Sequence, residues 1–213
     1  EALQSLRPAV PTRDIKDILK NVLLRADGHT LTMQATDLEV GISLELECES
    51  DEGAILLPFD RLSRMVGESV GEDFIIDQVE TTAKINCGTA RWSLPTAEPS
   101  TWPEIPKSEK APTLKTFVAS LREGLRRARK TLSTTKETME HGWQFGSVIV
   151  ESTQDRLTLT GTDRSGLSSF WMPCDPCRES SCLLPARAAD AILGVLDGGE
   201  AEVWITNHSF LVK

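Results

Sequence analysis

The segment Leu31-Thr-Met-Gln-Ala-Thr-Asp37 returns later in the chain as Leu157-Thr-Leu-Thr-Gly-Thr-Asp163, at an offset of 126 residues. Two further pairs of segments keep the same order and nearly the same spacing: residues 22–24 with 148–150, and residues 56–58 with 183–185. Three colinear matches that differ by one inserted residue indicate an internal duplication. The 213-residue chain is therefore predicted to contain two copies of one structural unit.

Within the first copy, alternation of side chains predicts antiparallel strands. Val40, Ile42, Leu44 and Leu46 alternate with polar, mostly acidic residues, which is typical of a strand with one buried and one solvated face. Pro58 precedes apolar residues at helical spacing and therefore predicts the start of a short helix, and the second copy places its own helix at residues 185–196. We predict an α+β fold: duplicated domains of antiparallel sheet with two helices each.

A proline-rich segment separates the two copies. Residues 95–112 hold five of the eleven prolines of the chain, which predicts a stiff, extended connector. We therefore assign residues 1–112, connector included, to the first domain and residues 113–213 to the second.

Composition restricts the class of protein. The chain has no apolar run near the ~20 residues that cross a bilayer, and no signal segment, which predicts a cytoplasmic protein without a membrane partner. Its five cysteines are an odd count in a chain of this size, which argues against a disulfide framework. A net charge of −9 argues against a protein whose whole surface binds nucleic acid, but does not exclude one with a local basic face.

One such basic segment runs from Lys115 to Lys130, with six cations and one anion. Ser120-Leu-Arg-Glu123 has the spacing of a capping box and predicts the start of a helix there. Along this helix one stripe is apolar and a second is basic: Leu121, Leu125, Ala128 and Leu132, against Arg122, Arg126 and Arg129 with Arg127 and Lys130 beside them. The basic stripe fits non-specific contact with phosphates or an ordinary solvated helix face.

Residues that could carry catalysis or bind a metal have simpler interpretations. The chain lacks phosphate-loop, dinucleotide, zinc-protease and serine-hydrolase motifs, so we predict neither catalytic residues nor a cofactor. Asp37 and Asp163 occupy equivalent positions after a threonine, where a carboxylate that caps its own turn explains both. Cys174, Cys177 and Cys182 leave open a zinc or thiol-redox module, although a structural zinc needs a fourth ligand; the default is a tolerated loop insertion and no metal.

Several ordered segments resemble the bacterial DNA polymerase III β subunit, the sliding clamp. They are Val10-Pro-Thr-Arg13, Ile18-Leu-Lys-Asn-Val-Leu-Leu24, Ala35-Thr-Asp-Leu-Glu-Val-Gly-Ile42, Ile55-Leu-Leu-Pro58, Ala90-Arg-Trp-Ser-Leu-Pro95 and Trp102-Pro-Glu-Ile-Pro106. The resemblance implies the DNA-clamp fold and a non-catalytic processivity factor of a DNA polymerase holoenzyme. In that family three domains per chain close as a head-to-tail homodimer around duplex DNA, with helices lining the hole.

The resemblance also implies binding residues and partners. Double-stranded DNA would be bound without sequence specificity by Arg13, Arg122, Arg126, Arg127, Arg129 and Lys130. The partner peptides of the DNA polymerase III α subunit and the clamp loader would meet Phe145, Thr162 and Leu167. The family usually reads Thr-Asp-Gly-x-Arg-Leu where this chain reads Thr162-Asp-Arg-Ser-Gly-Leu167, so a diverged clamp-like interaction scaffold stays an alternative.

The resemblance further implies that the sequence covers part of a clamp. We expect the first domain to lack its N-terminal strand, the second to be truncated at its C-terminus and the third to be absent. A chain limited to residues 1–213 is then not expected to close the ring, although the full-length protein would form the homodimer.

Overall fold

The structure is a computed structural model that describes residues 1–12, 16–71, 73–106, 111–132, 143–174 and 177–213. The chain forms two compact units, Glu1–Ile105 and Pro106–Lys213. The division between the units falls inside the proline-rich connector.

The first unit contains seven described strands and two helices. They are α1 (Ala2–Leu6), β1 (Asn21–Ala26), β2 (Thr30–Thr36), β3 (Gly41–Glu47), β4 (Gly53–Pro58), α2 (Phe59–Glu68), β5 (Ile75–Val79), β6 (Thr82–Cys87) and β7 (Ala90–Pro95). The strands form two antiparallel sheets, with orders β3-β2-β1-β4 and β5-β6-β7. The predicted helix after Pro58 is confirmed, and its Phe59 and Leu62 are buried.

The second unit repeats the four-stranded sheet of the first and adds a three-stranded sheet of different strand order. Its elements are β8 (Leu114–Phe117), α3 (Val118–Lys130), β9 (Ser147–Ser152), β10 (Arg156–Thr162), β11 (Leu167–Pro173), β12 (Ser180–Pro185), α4 (Ala186–Val195), β13 (Glu200–Thr206) and β14 (Ser209–Val212). The sheets have orders β11-β10-β9-β12 and β14-β13-β8. The four-stranded sheets of the two units thus have the same topology, which confirms the predicted antiparallel α+β fold.

The duplication extends to the backbone of one turn in each unit. After the repeated Thr-Asp pair, Leu38 and Arg164 adopt φ angles of +77° and +79°. Left-handed backbone costs a residue with a Cβ roughly 1–2 kcal/mol, so two such residues at equivalent positions indicate a conformation that the fold requires. The sequence repeat therefore reflects a shared backbone path.

The core of the second unit lies between α3 and the four-stranded sheet. The predicted apolar stripe is confirmed, because Leu121, Leu125 and Ala128 are fully buried and Leu132 is nearly so. The helix packs closely on β10 and β11: a Cβ built on Gly124 would lie 2.8 Å from side-chain atoms of both Leu159 and Phe170. Glycine at this position therefore sets how near α3 approaches the sheet.

The capping box predicted at Ser120 is wrong. The helix α3 begins two residues earlier, at Val118, directly after β8, and its start has no side-chain cap. Ser120 consequently lies inside the first turn. The Glu123 carboxylate accepts hydrogen bonds from Arg126 and Arg127 and does not cap the helix start, because those guanidiniums lie one turn further along the same face.

Candidate nucleic-acid interface

Arg122 of the basic helix points at the end of α4. Its guanidinium donates hydrogen bonds to the carbonyl oxygens of Leu193, at 2.6 Å, and of Leu196. The last carbonyls of a helix have no partner within the helix, so a half-buried arginine that satisfies two of them caps α4. The structure thus gives Arg122 a structural task.

Arg129 lies on the same side of α3, two turns further on. It donates a bidentate pair of hydrogen bonds to Asp190 of α4, at 2.9 and 3.0 Å. The fork geometry makes this a strong type of ion pair, and the Arg129 side chain is only 29% exposed. The single basic stripe that the sequence predicts is therefore divided, because Arg122 and Arg129 face α4.

The remaining basic residues of α3 form an exposed face, which we call the outer face: Arg126, Arg127 and Lys130, with Glu123 among them. Arg126 and Arg127 bind the two carboxylate oxygens of Glu123 at 2.8 and 2.7 Å. The hydrogen bond from Arg127, together with the charge of both arginines, holds the pKa of Glu123 below its ordinary value. Three cations and one fixed anion leave this face positive at neutral pH.

The other basic residues considered for phosphate contact are Lys115 and Arg13. Lys115 forms an ion pair with Glu202 of β13 at 2.6 Å. Arg13 lies outside the described residues, and its assignment to DNA stays a prediction. On α3, the exposed candidates for contact with phosphates are therefore Arg126, Arg127 and Lys130 of the outer face.

The structure brings the three predicted partner-binding residues together at one end of β10 and β11. Thr162 and Leu167 are opposite each other in the last pair of that ladder, and the Leu167 side chain is 68% exposed. Arg164, in the turn between them, lies over the ring of Phe145 with 5.9 Å from the guanidinium carbon to the ring centroid. This cation–π contact has no local signal in the sequence, where position 164 differs only in carrying arginine in place of the family's usual glycine.

The aspartates of the two repeated turns have the structural role that the sequence predicts. Amides of Glu39 and Val40 donate to Asp37 Oδ1 at 3.0 and 2.8 Å. Amides of Ser165 and Gly166 donate to Asp163 Oδ1 at 2.9 and 2.7 Å, and these hydrogen bonds hold the pKa of Asp163 below its ordinary value. Each carboxylate therefore caps its own turn.

We expect Leu38→Gly to raise the free energy of unfolding by about 0.5–1 kcal/mol, because glycine adopts φ near +77° without a Cβ clash but loses more backbone entropy on folding. Urea denaturation measures the change. Arg164→Gly is the equivalent variant in the second unit and should gain less, because it also removes the cation–π contact with Phe145. A loss of stability in both variants would contradict the assignment of backbone strain to these turns.

The sequence left open whether Cys174, Cys177 and Cys182 bind zinc or form a redox site. Cys174 and Cys177 form a disulfide, whereas Cys48, Cys87 and Cys182 are free thiols. Burial raises the pKa of the Cys182 thiol to about 11, so this group is protonated and a poor metal ligand at neutral pH. Within the described ranges, no group of three or more His, Cys, Asp or Glu side chains could hold a metal ion.

None of the helices in the described part of the chain has the length and apolar character that a membrane span requires. The duplicated sheets and the helices packed on them define an α+β protein of the DNA-clamp class, with an exposed basic face on α3 and an exposed leucine, Leu167, beside the β10–β11 turn.

Comparison with known proteins identifies the family. The profile of the DNA polymerase III beta subunit N-terminal domain matches residues 1–106. A beta sliding clamp of Vibrio harveyi is 32% identical over 107 residues, 48% of this chain and 73% of that protein. The beta sliding clamp of Micrococcus luteus is 25% identical over 214 residues, 98% of this chain and 65% of that protein. The chain belongs to the beta sliding clamp family.

Solved structures agree with the fold. The sliding clamp of Bacillus subtilis superposes with a TM-score of 0.89 at 19% identity, over 99% of this chain and 58% of that one. The Helicobacter pylori beta clamp, solved with a DNA ligase peptide, gives a TM-score of 0.80 at 19% identity, over 94% of this chain and 57% of that one. The chain spans about one third to two thirds of the length of the first curated relatives it matches.

Proposed function

We propose that the full-length protein is the processivity factor of a DNA polymerase, a non-catalytic ring that encircles duplex DNA and tethers the replicative polymerase. The observation that carries this proposal is the clamp fold, which matches solved clamps over 99% of the chain. The two units described would supply part of the ring, and a head-to-tail homodimer of the full-length protein would close it.

The electrostatics of α3 support a sliding contact. A ring is retained by topology, so its contacts with phosphates need not fix a position on the DNA. The outer face supplies three exposed cations, and Glu123 lowers their combined charge without removing it. Such a face attracts the phosphate backbone without reading sequence, and weak contacts allow movement along the duplex.

The turn between β10 and β11 supports binding of a partner peptide. Exposed Leu167 offers an apolar anchor beside Thr162, and Phe145 offers an aromatic surface. The Helicobacter pylori beta clamp, which was solved bound to a DNA ligase peptide, supports a peptide as the kind of partner. We propose that linear segments of the polymerase α subunit and of the clamp loader bind here, with Arg164 in contact with them where the family usually has glycine.

The outer face is expected to set the salt dependence of DNA binding. Arg126→Glu combined with Lys130→Glu should weaken binding of the full-length protein to duplex DNA by roughly tenfold or more at low salt. The slope of log K against log salt should fall by about 2, because two phosphate contacts are lost. Stability should change little, since both side chains are exposed.

The matched control makes the same change of charge outside α3. Arg156→Glu combined with Arg178→Glu alters two exposed arginines and should leave the salt slope close to that of the wild type. Fluorescence anisotropy over a salt series measures both variants. Equal slopes for the wild type and the outer-face variant would remove α3 from the DNA interface.

A further inference from the structure

The disulfide between Cys174 and Cys177 lies where the two sheets of the second unit meet. The Cys174 amide, just after β11, donates to the carbonyl oxygen of Asp155 at 3.2 Å. Cys177 forms an isolated antiparallel bridge with Leu114, the first residue of β8. The Arg178 amide donates to the Thr113 carbonyl oxygen at 3.1 Å. The two cysteines thus join the end of the four-stranded sheet to the start of the three-stranded one.

The spacing of the pair is that of an ordinary short-range disulfide. The two Cα atoms are 5.8 Å apart, within the usual range for a disulfide. The cysteines are three residues apart, so the closed loop is short and the bond restricts the unfolded chain only slightly. Both residues are half-buried and pack against the edge of the core of the second unit, so the pair lies at the boundary between core and solvent.

The other three cysteines do not compete for this bond. Cys182 is buried, and its thiol stays protonated at neutral pH. Cys87 is buried and Cys48 half-buried, both in the first unit, which contains no described disulfide. Among the described residues, an intramolecular disulfide is therefore confined to the two sulfurs of the C-x-x-C motif, a spacing that recurs in thiol–disulfide exchange sites.

We propose that Cys174 and Cys177 form a reversible dithiol–disulfide site that exchanges with low-molecular-weight thiols. In reduction, one thiolate attacks a sulfur of the pair, a mixed disulfide forms and the other cysteine leaves as a thiolate, which takes a proton. A second thiolate then attacks the mixed disulfide, releases the small-molecule disulfide and leaves two protein thiols. Two electrons pass to the protein, and a small-molecule disulfide reverses both steps.

The test counts thiols in the full-length protein equilibrated with mixtures of reduced and oxidised glutathione. After an acid quench, a maleimide labels the denatured protein, and mass spectrometry counts the labels. We expect three labels per chain at the oxidising end and five at the reducing end, if the remainder of the full-length protein contributes a constant number. The change should be a single two-electron transition.

Two variants identify the cysteines responsible. Cys177→Ser should abolish the two-label transition and leave at most a change of one label, from a mixed disulfide of Cys174 with glutathione, whereas Cys182→Ser should keep the two-label transition with one label fewer throughout. A two-label transition that survives Cys177→Ser, or a constant count of three or of five over the whole glutathione series, would overturn the proposal. The assay does not depend on DNA, so its failure is distinct from failure of the processivity function.

Discussion

Replacement of Gly161 with valine should prevent α3 from packing on the sheet of the second unit. A Cβ built on Gly161 would lie 2.0 Å from the carbonyl oxygen of Ala128 and 2.7 Å from Thr131 Oγ1. The nearest of these atoms belongs to the backbone of α3, so no change of rotamer relieves the clash. We expect a loss of about 3 kcal/mol or more in the free energy of unfolding, at the upper end for overpacked sites.

Guanidinium chloride denaturation of the purified chain measures this loss. Gly194→Ala is the matched control, because a Cβ on Gly194 meets nothing within 4 Å and alanine favours helix α4 by up to about 1 kcal/mol. The first copy of the repeat has Ala35 at the position that corresponds to Gly161, so the close approach is a property of the second unit. A wild-type denaturation midpoint for Gly161→Val would refute the packing described for α3.

Replacement of Arg122 with methionine is expected to lower the free energy of unfolding by about 2–3 kcal/mol. Methionine retains the apolar stem but removes the guanidinium that donates to the Leu193 and Leu196 carbonyls. Each of these half-buried carbonyls loses a hydrogen bond from a charged donor, which accounts for the larger part of the cost. Lysine should restore only part of the loss, because a single ammonium lacks the planar fork of arginine.

The control for this prediction lies one turn away on the same helix. Arg126→Met removes an exposed guanidinium that contacts only Glu123 among the described residues, and should change stability by less than about 0.5 kcal/mol. Thermal unfolding of both variants by circular dichroism separates the two roles. Equal stability of Arg122→Met and the wild type would mean that Arg122 is free for DNA, as the sequence alone suggests.

Much of the fold could be predicted because its determinants are local. The structure confirms three local signals in the sequence. They are the alternation of side chains in the strands, the proline before α2 and the repeat at 126 residues. The start of α3 could not be predicted in the same way. Ser120 and Glu123 have the spacing of a capping box, yet β8 continues directly into the helix, and tertiary packing of Val118 outweighs the local signal.

The candidate site was less predictable, because its partners are far apart in sequence. Arg129 meets Asp190 sixty-one residues away, and Arg122 meets carbonyls more than seventy residues away, so no local pattern distinguishes these arginines from Arg126. The contact between Arg164 and Phe145 likewise depends on how the β10–β11 turn folds back. The turn-capping role of Asp163 was predictable, since its hydrogen bonds reach only two and three residues along the chain.

Retention on DNA after loading tests the central claim most directly. Full-length protein loaded onto a nicked circular plasmid is separated from free protein by gel filtration, and a restriction enzyme then cuts half of the sample at one site. We expect the protein to stay with the uncut circle and to leave the linear DNA by sliding off its ends. Equal retention on cut and uncut plasmid would show that direct contacts hold the protein, and would contradict a topological ring.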